Sequence, residues 1–112
     1  MPVVDFPELK ALLVRDGRLM ALDVGTKTIG VATSDVLRSL ATPLATLKRG
    51  KLAADLASLA DLVARHEIKA LAIGLPLNMD GSEGPRCQSV RQFAANIAKH
   101  GPPALAALPI VL

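Results

Sequence analysis

Asp23, Gly25 and Thr26 make the sharpest chemical grouping in the sequence: a carboxylate, a residue without a side chain and a hydroxyl in quick succession. Asp23 interrupts an otherwise apolar run over residues 19–24. A carboxylate at the carboxyl end of a central strand stands where open α/β sheets bind their ligands. Gly25 would let backbone amides approach a phosphate or a metal-bound oxygen, and Lys27 follows in the same turn. Burying such a charge costs several kcal/mol unless a cation or hydrogen-bond donors compensate it, so the sequence predicts a buried Asp23 with a compensating partner. The plainer alternative is that Asp23 only caps the turn, accepting from the amides of Thr26 or Lys27.

A second grouping is the loop 74–84, Gly-Leu-Pro-Leu-Asn-Met-Asp-Gly-Ser-Glu-Gly, which runs into a helix. Free amides at a helix start attract anions, and Asn78 and Ser82 add neutral hydrogen-bonding groups, making them candidate phosphate contacts. Asp80 and Glu83 oppose that use. They would repel phosphate unless they held a divalent metal, and their ordinary role is to favour the helix dipole. Among cations, Lys48, Arg49 and Lys51 are a compact cluster, with Lys27, Arg38, Arg86 and Arg91 near the loops. Such a cluster is either solvated surface or a phosphate-binding patch. With no Trp or Tyr, and only Phe6 and Phe93, base stacking is not available as a binding mode. Phosphate contacts are what remain.

These residues need a scaffold, and hydrophobic periodicity supplies one. Asp5 and Glu8 at capping-box spacing, followed by Phe6, Leu9, Leu12 and Leu13, predict a short leading helix stopped by Gly17. Residues 19–24 read as a strand buried on both faces. After the turn at 25–28, residues 29–34 alternate as the returning arm of a hairpin. Residues 42–47 extend it to a meander, with Pro43 at a strand start or an edge. Leu52, Leu56, Leu59 and Val63 mark a helix over 52–66, leaving Lys51, Asp55, Asp61 and Arg65 to solvent. A short strand over 69–75, a helix opened by Pro85 and ended near His100, and an apolar run over 108–112 complete a βαβ unit. The order β, β, β, α, β, α, β implies a mixed α/β sheet, antiparallel on one side and parallel on the other, with the first strand central. His66 and His100 close helices; Met20, Met79 and Cys87 read as packing.

At 112 residues the chain has room for one domain. Its 51% hydrophobic and 21% charged composition argues against disorder. The lone Cys87 excludes a disulfide framework or a cysteine zinc cluster within the chain. No apolar window approaches a membrane span and no signal peptide is visible, so the expectation is a cytoplasmic protein without a membrane partner. Thirteen Lys and Arg against ten Asp and Glu give a charge of +3, which permits a polyanionic partner.

The run Leu22-Asp23-Val24-Gly25-Thr26-Lys27-Thr28-Ile29-Gly30-Val31-Ala32-Thr33-Ser34-Asp35, then Ala41-Thr42-Pro43-Leu44, resembles the opening of the YqgF/RuvX family, and 74–84 resembles that family's second signature. The resemblance covers residues 19–112, leaving 1–18 as an extension. It implies an RNase H-like fold and a metal-dependent endonuclease that processes the 5′ end of pre-16S rRNA, or alternatively resolves Holliday junctions. It also implies Mg²⁺ or Mn²⁺ held by clustered carboxylates, with Asp23 the catalytic and metal-binding one, and a nucleic-acid partner, pre-rRNA or branched DNA. In that family the last strand continues into an Asp-Glu-Arg segment and a later helix adds another acid. The expectation is therefore an RNase H-like domain incomplete at its C-terminus, with one sheet face uncovered. A non-catalytic nucleic-acid-binding fragment is a further alternative. The Asp-x-Gly-Thr turn also resembles the sugar-kinase and actin superfamily, where it holds ATP phosphates between two domains; one short domain cannot form that cleft.

Overall fold

The computed structural model describes residues 18–34 and 41–112. The leading helix expected over 5–16, the loop at 37–40, Asp35 and Arg38 lie outside the described residues. The described chain runs β1 (Arg18–Val24), β2 (Thr28–Ser34), β3 (Ala41–Lys48), α1 (Leu52–Arg65), β4 (Ile68–Ile73), α2 (Pro85–His100), a single-turn α3 (Pro103–Ala106) and β5 (Ile110–Val111). The sheet order is β3-β2-β1-β4-β5. β1 pairs antiparallel with β2 and parallel with β4, so the first strand is central and the sheet is mixed as the element order implies. β3 is an edge, which tolerates Pro43, and the register slips beside it between Val31 and Ala32.

β1 is not buried on both faces. Met20, Leu22 and Val24 are buried while Ala21 and Asp23 are exposed. Among the described residues the helices cover one face only: Leu56, Leu59 and Val63 of α1 and Val90, Phe93 and Ile97 of α2 join the cluster of Met20, Leu22, Val24, Leu71 and Ile73. Leu59 and Ile97 are fully buried, and truncating either to Ala should cost about 2–5 kcal/mol. The opposite face carries Ala21, Gly30, Ala32, Ala45, Ala72 and Gly74 around Asp23, an open apolar concavity. Its residues are small, which is why an uninterrupted apolar run in the sequence does not translate into two packed faces.

Two other expectations change. Asp55, read as solvent-facing, is buried, because it sits in the first turn of α1 and folds back so that its Oδ1 accepts from the Gly50 amide at 3.0 Å. Met79, read as packing, is fully exposed at the tip of its loop. The chain after α2 is also shaped differently from the sequence reading: α3 lies between the helix and the last apolar run, where no element is expected, and β5 is only two residues long. Gly101 ends α2 with its amide on the Ile97 carbonyl at 3.0 Å, where a Cβ would lie 2.5 Å from that same oxygen. Pro102 and Pro103 then prevent continuation.

Candidate functional site

The carboxyl ends of β1 and β4, the start of β2 and the end of β3 meet at one edge of the sheet. There Asp23 projects from the open face. Its neighbour across the β1–β2 ladder is Gly30, which in turn pairs with Thr46 of β3. On the other side Gly74, just past β4, donates its amide to the Leu22 carbonyl at 3.1 Å. A glycine therefore flanks Asp23 on each side. An added Cβ at Gly30 would sit 3.6 Å from Asp23 Cβ, in contact, whereas the glycine leaves the carboxylate accessible from the sheet face. The expectation of a buried, charge-compensated Asp23 gives way to an exposed one, since no helix packs on its face among the described residues.

The turn after Asp23 is tightly held. The Gly25 amide donates to the Thr28 carbonyl at 2.8 Å, and a Cβ on Gly25 would approach that oxygen to 3.0 Å, closer than side chains sit without displacement. Arg86 of α2 donates through Nη2 to the Val24 carbonyl at 2.8 Å, and Arg49 donates through Nη1 to the Gly25 carbonyl at 2.8 Å. The bond from the Arg49 amide to the Lys27 carbonyl, 2.9 Å, continues the β2–β3 ladder beyond Thr28 and Lys48. The ladder thus joins two groups far apart in sequence, the Asp23-Gly25-Thr26-Lys27 turn and the Lys48-Arg49-Lys51 cluster. Thr26, Lys27, Lys48 and Lys51 are exposed there.

Residues 74–76 also reach this edge: Asp23, Val24, Gly74, Leu75, Pro76 and Arg86 line one small pocket. The remainder of that loop is self-contained. Asn78 Nδ2 donates to Ser82 Oγ at 3.0 Å, the Asn78 amide to the Ser82 carbonyl at 2.9 Å, and the Ser82 amide and hydroxyl to Asp80 Oδ1 at 2.9 and 2.6 Å. Gly81, at φ +86°, makes the turn possible. The Ser82 hydroxyl and then its amide hold the Asp80 carboxyl below its usual value. The Arg91 guanidinium, bidentate on Glu83 at 2.7 and 2.7 Å, does the same for Glu83 and is itself raised by that bond. Asp80 and Glu83 are thus already engaged by Ser82 and Arg91.

No cluster of three or more His, Cys, Asp or Glu side chains suited to a metal converges among the described residues. Mg²⁺ is commonly held by one or two carboxylates together with water and substrate phosphate, about six oxygens in all. Asp23 fits as one such ligand; the described residues do not complete a cage. Two site features leave no readable signal in the sequence: the burial of Asp55, which helical spacing places toward solvent, and the pairing of Arg86 with Val24 across 62 residues.

Residues 17–112 match the model of the RuvX family, described as Holliday junction resolvase. The chain belongs to this family. RuvX-like relatives bear the name "Putative pre-16S rRNA nuclease": one from Paramagnetospirillum magneticum is 52% identical over 99 residues, 88% of this chain and 64% of its own length. Another, from Rhodobacter capsulatus, is 56% identical over 95 residues, 85% of this chain and 60% of its own. The chain thus spans about three-fifths of the length of these curated relatives. T. thermophilus RuvC, solved in complex with a Holliday junction substrate, superposes with a TM-score of 0.52 at 14% identity, over 86% of this chain and 64% of that one. At that identity the likeness speaks for the fold, and the RuvX chain has the RNase H-like α/β architecture expected of it.

Proposed function

We propose that this RuvX chain carries the phosphodiester-cleaving edge of an endonuclease that acts in the cytoplasm on the 5′ end of pre-16S rRNA during ribosome biogenesis. The observation that carries the reading is the exposed Asp23, flanked by Gly30 and Gly74, at the sheet edge where the ladder brings the Lys27 turn to the Lys48 end of β3. A polyanionic strand can approach such a carboxylate only where flanking side chains are absent and cations offset repulsion. Asp23 would serve as one ligand of Mg²⁺ or Mn²⁺, and a bound divalent cation in such a site activates water and stabilises the departing oxygen. Gly25 and Thr26 would shape the turn against the phosphate, and the lysines would hold the backbone. Asn78 and Ser82 would contribute by fixing the shape of the loop, because their side chains and amides are already bonded within it.

A second reading, resolution of Holliday junctions, draws support from the family description and from the likeness to RuvC. A third, nucleic-acid binding without cleavage, draws support from the lack of a cluster of three metal-binding side chains among the described residues. One experiment separates the three: labelled pre-16S leader RNA and a four-way DNA junction are each incubated with the chain, with Mg²⁺ or with EDTA. The primary reading expects Mg²⁺-dependent cuts in the RNA that Asp23→Asn abolishes. Cuts confined to the junction would move the assignment to the resolvase. Binding of both without cleavage would leave the non-catalytic reading.

A further inference from the structure

Arg49 and Arg86 come from different elements yet grip consecutive carbonyls, those of Gly25 and Val24, each at 2.8 Å. Both carbonyls lie immediately after Asp23. Arg49 is held on three sides: Nη1 is on the Gly25 carbonyl, Nε is 4.0 Å from Asp55 Oδ2, and the guanidinium lies 5.3 Å above the Phe93 ring. Asp55 is 6% exposed, and its Oδ2 has no hydrogen-bond partner, so Arg49 is the cation nearest to that buried oxygen. Phe93 and Arg86 both belong to α2. The turn is therefore tied to α2 twice, once directly and once through Arg49.

We infer that Arg49 and Arg86 are positioning residues that fix the backbone leaving Asp23, rather than side chains that contact nucleic acid; this rests on the reading of Asp23 as the working carboxylate. The guanidinium suits the task, since a planar fork can serve the Gly25 carbonyl and the Asp55 carboxylate together, and a lysine ammonium, a single point charge, cannot. Gly25 has a wide range of backbone conformations, so without the two clamps only the bond from its amide to the Thr28 carbonyl and the β1–β2 ladder hold the turn, and the backbone after Asp23 can shift. Misplacement of a reacting group by about 1 Å can cost 10²-fold in rate. Arg49 stands beside Lys48 and Lys51 in sequence and is itself partly exposed, its side chain 30% accessible, but its guanidinium is engaged by three partners.

The test compares Arg49→Lys, Arg49→Gln and Arg86→Lys with the unaltered chain by amide hydrogen exchange, by Mn²⁺ broadening of nearby amide resonances, and by oligonucleotide binding in EDTA across a salt series. The positioning role predicts exchange at the Gly25 amide at least tenfold faster in every variant, with the Leu71 amide in the core unchanged. It predicts a weaker Mn²⁺ effect at Gly25 and Gly30, no rescue by Arg49→Lys, and an unchanged slope of log K against log salt. A phosphate contact predicts the opposite: Gly25 exchange as in the unaltered chain, rescue by Arg49→Lys, and a slope shallower by about one in Arg49→Gln. Equal acceleration at Gly25 and Leu71 would reduce both arginines to general stability and overturn the inference. Should the unaltered chain bind neither Mn²⁺ nor oligonucleotide, the nuclease reading fails, while exchange at Gly25 still decides whether the arginines hold the turn.

Discussion

Asp23 stands directly across the antiparallel ladder from Gly30, and an added Cβ at Gly30 would lie 3.6 Å from the Asp23 Cβ. The missing side chain keeps the carboxylate accessible. Gly30 is not among the residues with positive φ, so a larger residue meets no backbone obstacle. Gly30→Val should therefore preserve or raise the melting temperature, strands favouring Val over Gly by up to about 1 kcal/mol. The same variant should lose most of any Mn²⁺ or nucleic-acid binding that depends on Asp23. Retained binding with a bulky residue at position 30 would mean that ligands do not approach along this face.

Gly25 behaves differently. A Cβ there would come within 3.0 Å of the Thr28 carbonyl, the oxygen that accepts the Gly25 amide. Gly25→Ala should destabilise the chain by about 1–2 kcal/mol in urea unfolding, within the usual range for a side chain crowded against fixed neighbours. An unchanged midpoint would show that the turn relaxes without loss.

How much of this was legible in advance depends on the range of the interaction. The order of strands and helices, the central place of β1 and the edge position of Pro43 follow from periodicity and turn chemistry, which are local. Asp23, Gly25 and Lys27 were recognisable because they sit together in one turn. The burial of Asp55 was not, because helical spacing assigns a position to a face but does not show a carboxylate folding back onto the preceding Gly50 amide. Nor does an apolar run reveal that only one side of β1 is covered, since Ala21 is compatible with either face. The division of labour between Arg49 and its neighbours Lys48 and Lys51 depends on Phe93 and Gly25, both remote in sequence.

Asp55 offers a stability test of that buried contact. Asp55→Ala removes the acceptor of the Gly50 amide and the carboxylate facing Arg49, and should cost about 1–3 kcal/mol. Arg49 is partly exposed, which keeps the loss below that of a fully buried ion pair. A change below about 0.5 kcal/mol, the scale of an ordinary surface substitution, would mean that the contact is not formed in solution.

The loop at 78–83 should respond to acid. Asp80, through Ser82, and Glu83, through Arg91, both have folded-state pKa values below their ordinary 3.8 and 4.5. Depressed carboxylates contribute order that is fully present above those ordinary values and is lost as pH falls through the depressed ones. The Ser82 amide resonance should therefore stay fixed from neutral pH down to about 4 and shift only below it. A transition at or above the ordinary aspartate value would contradict the Asp80–Ser82 bonds.

The central claim is that Asp23 is the working carboxylate of this edge, and calorimetric titration of Mn²⁺ into the chain and into Asp23→Asn tests it most directly, with circular dichroism as a check on the fold. Asp23 is exposed, so the substitution should leave the spectrum unchanged. The account predicts weak but measurable binding in the unaltered chain, as befits a site where no cluster of three ligands converges among the described residues, and its loss in Asp23→Asn. Equal Mn²⁺ affinity in the two chains would contradict it.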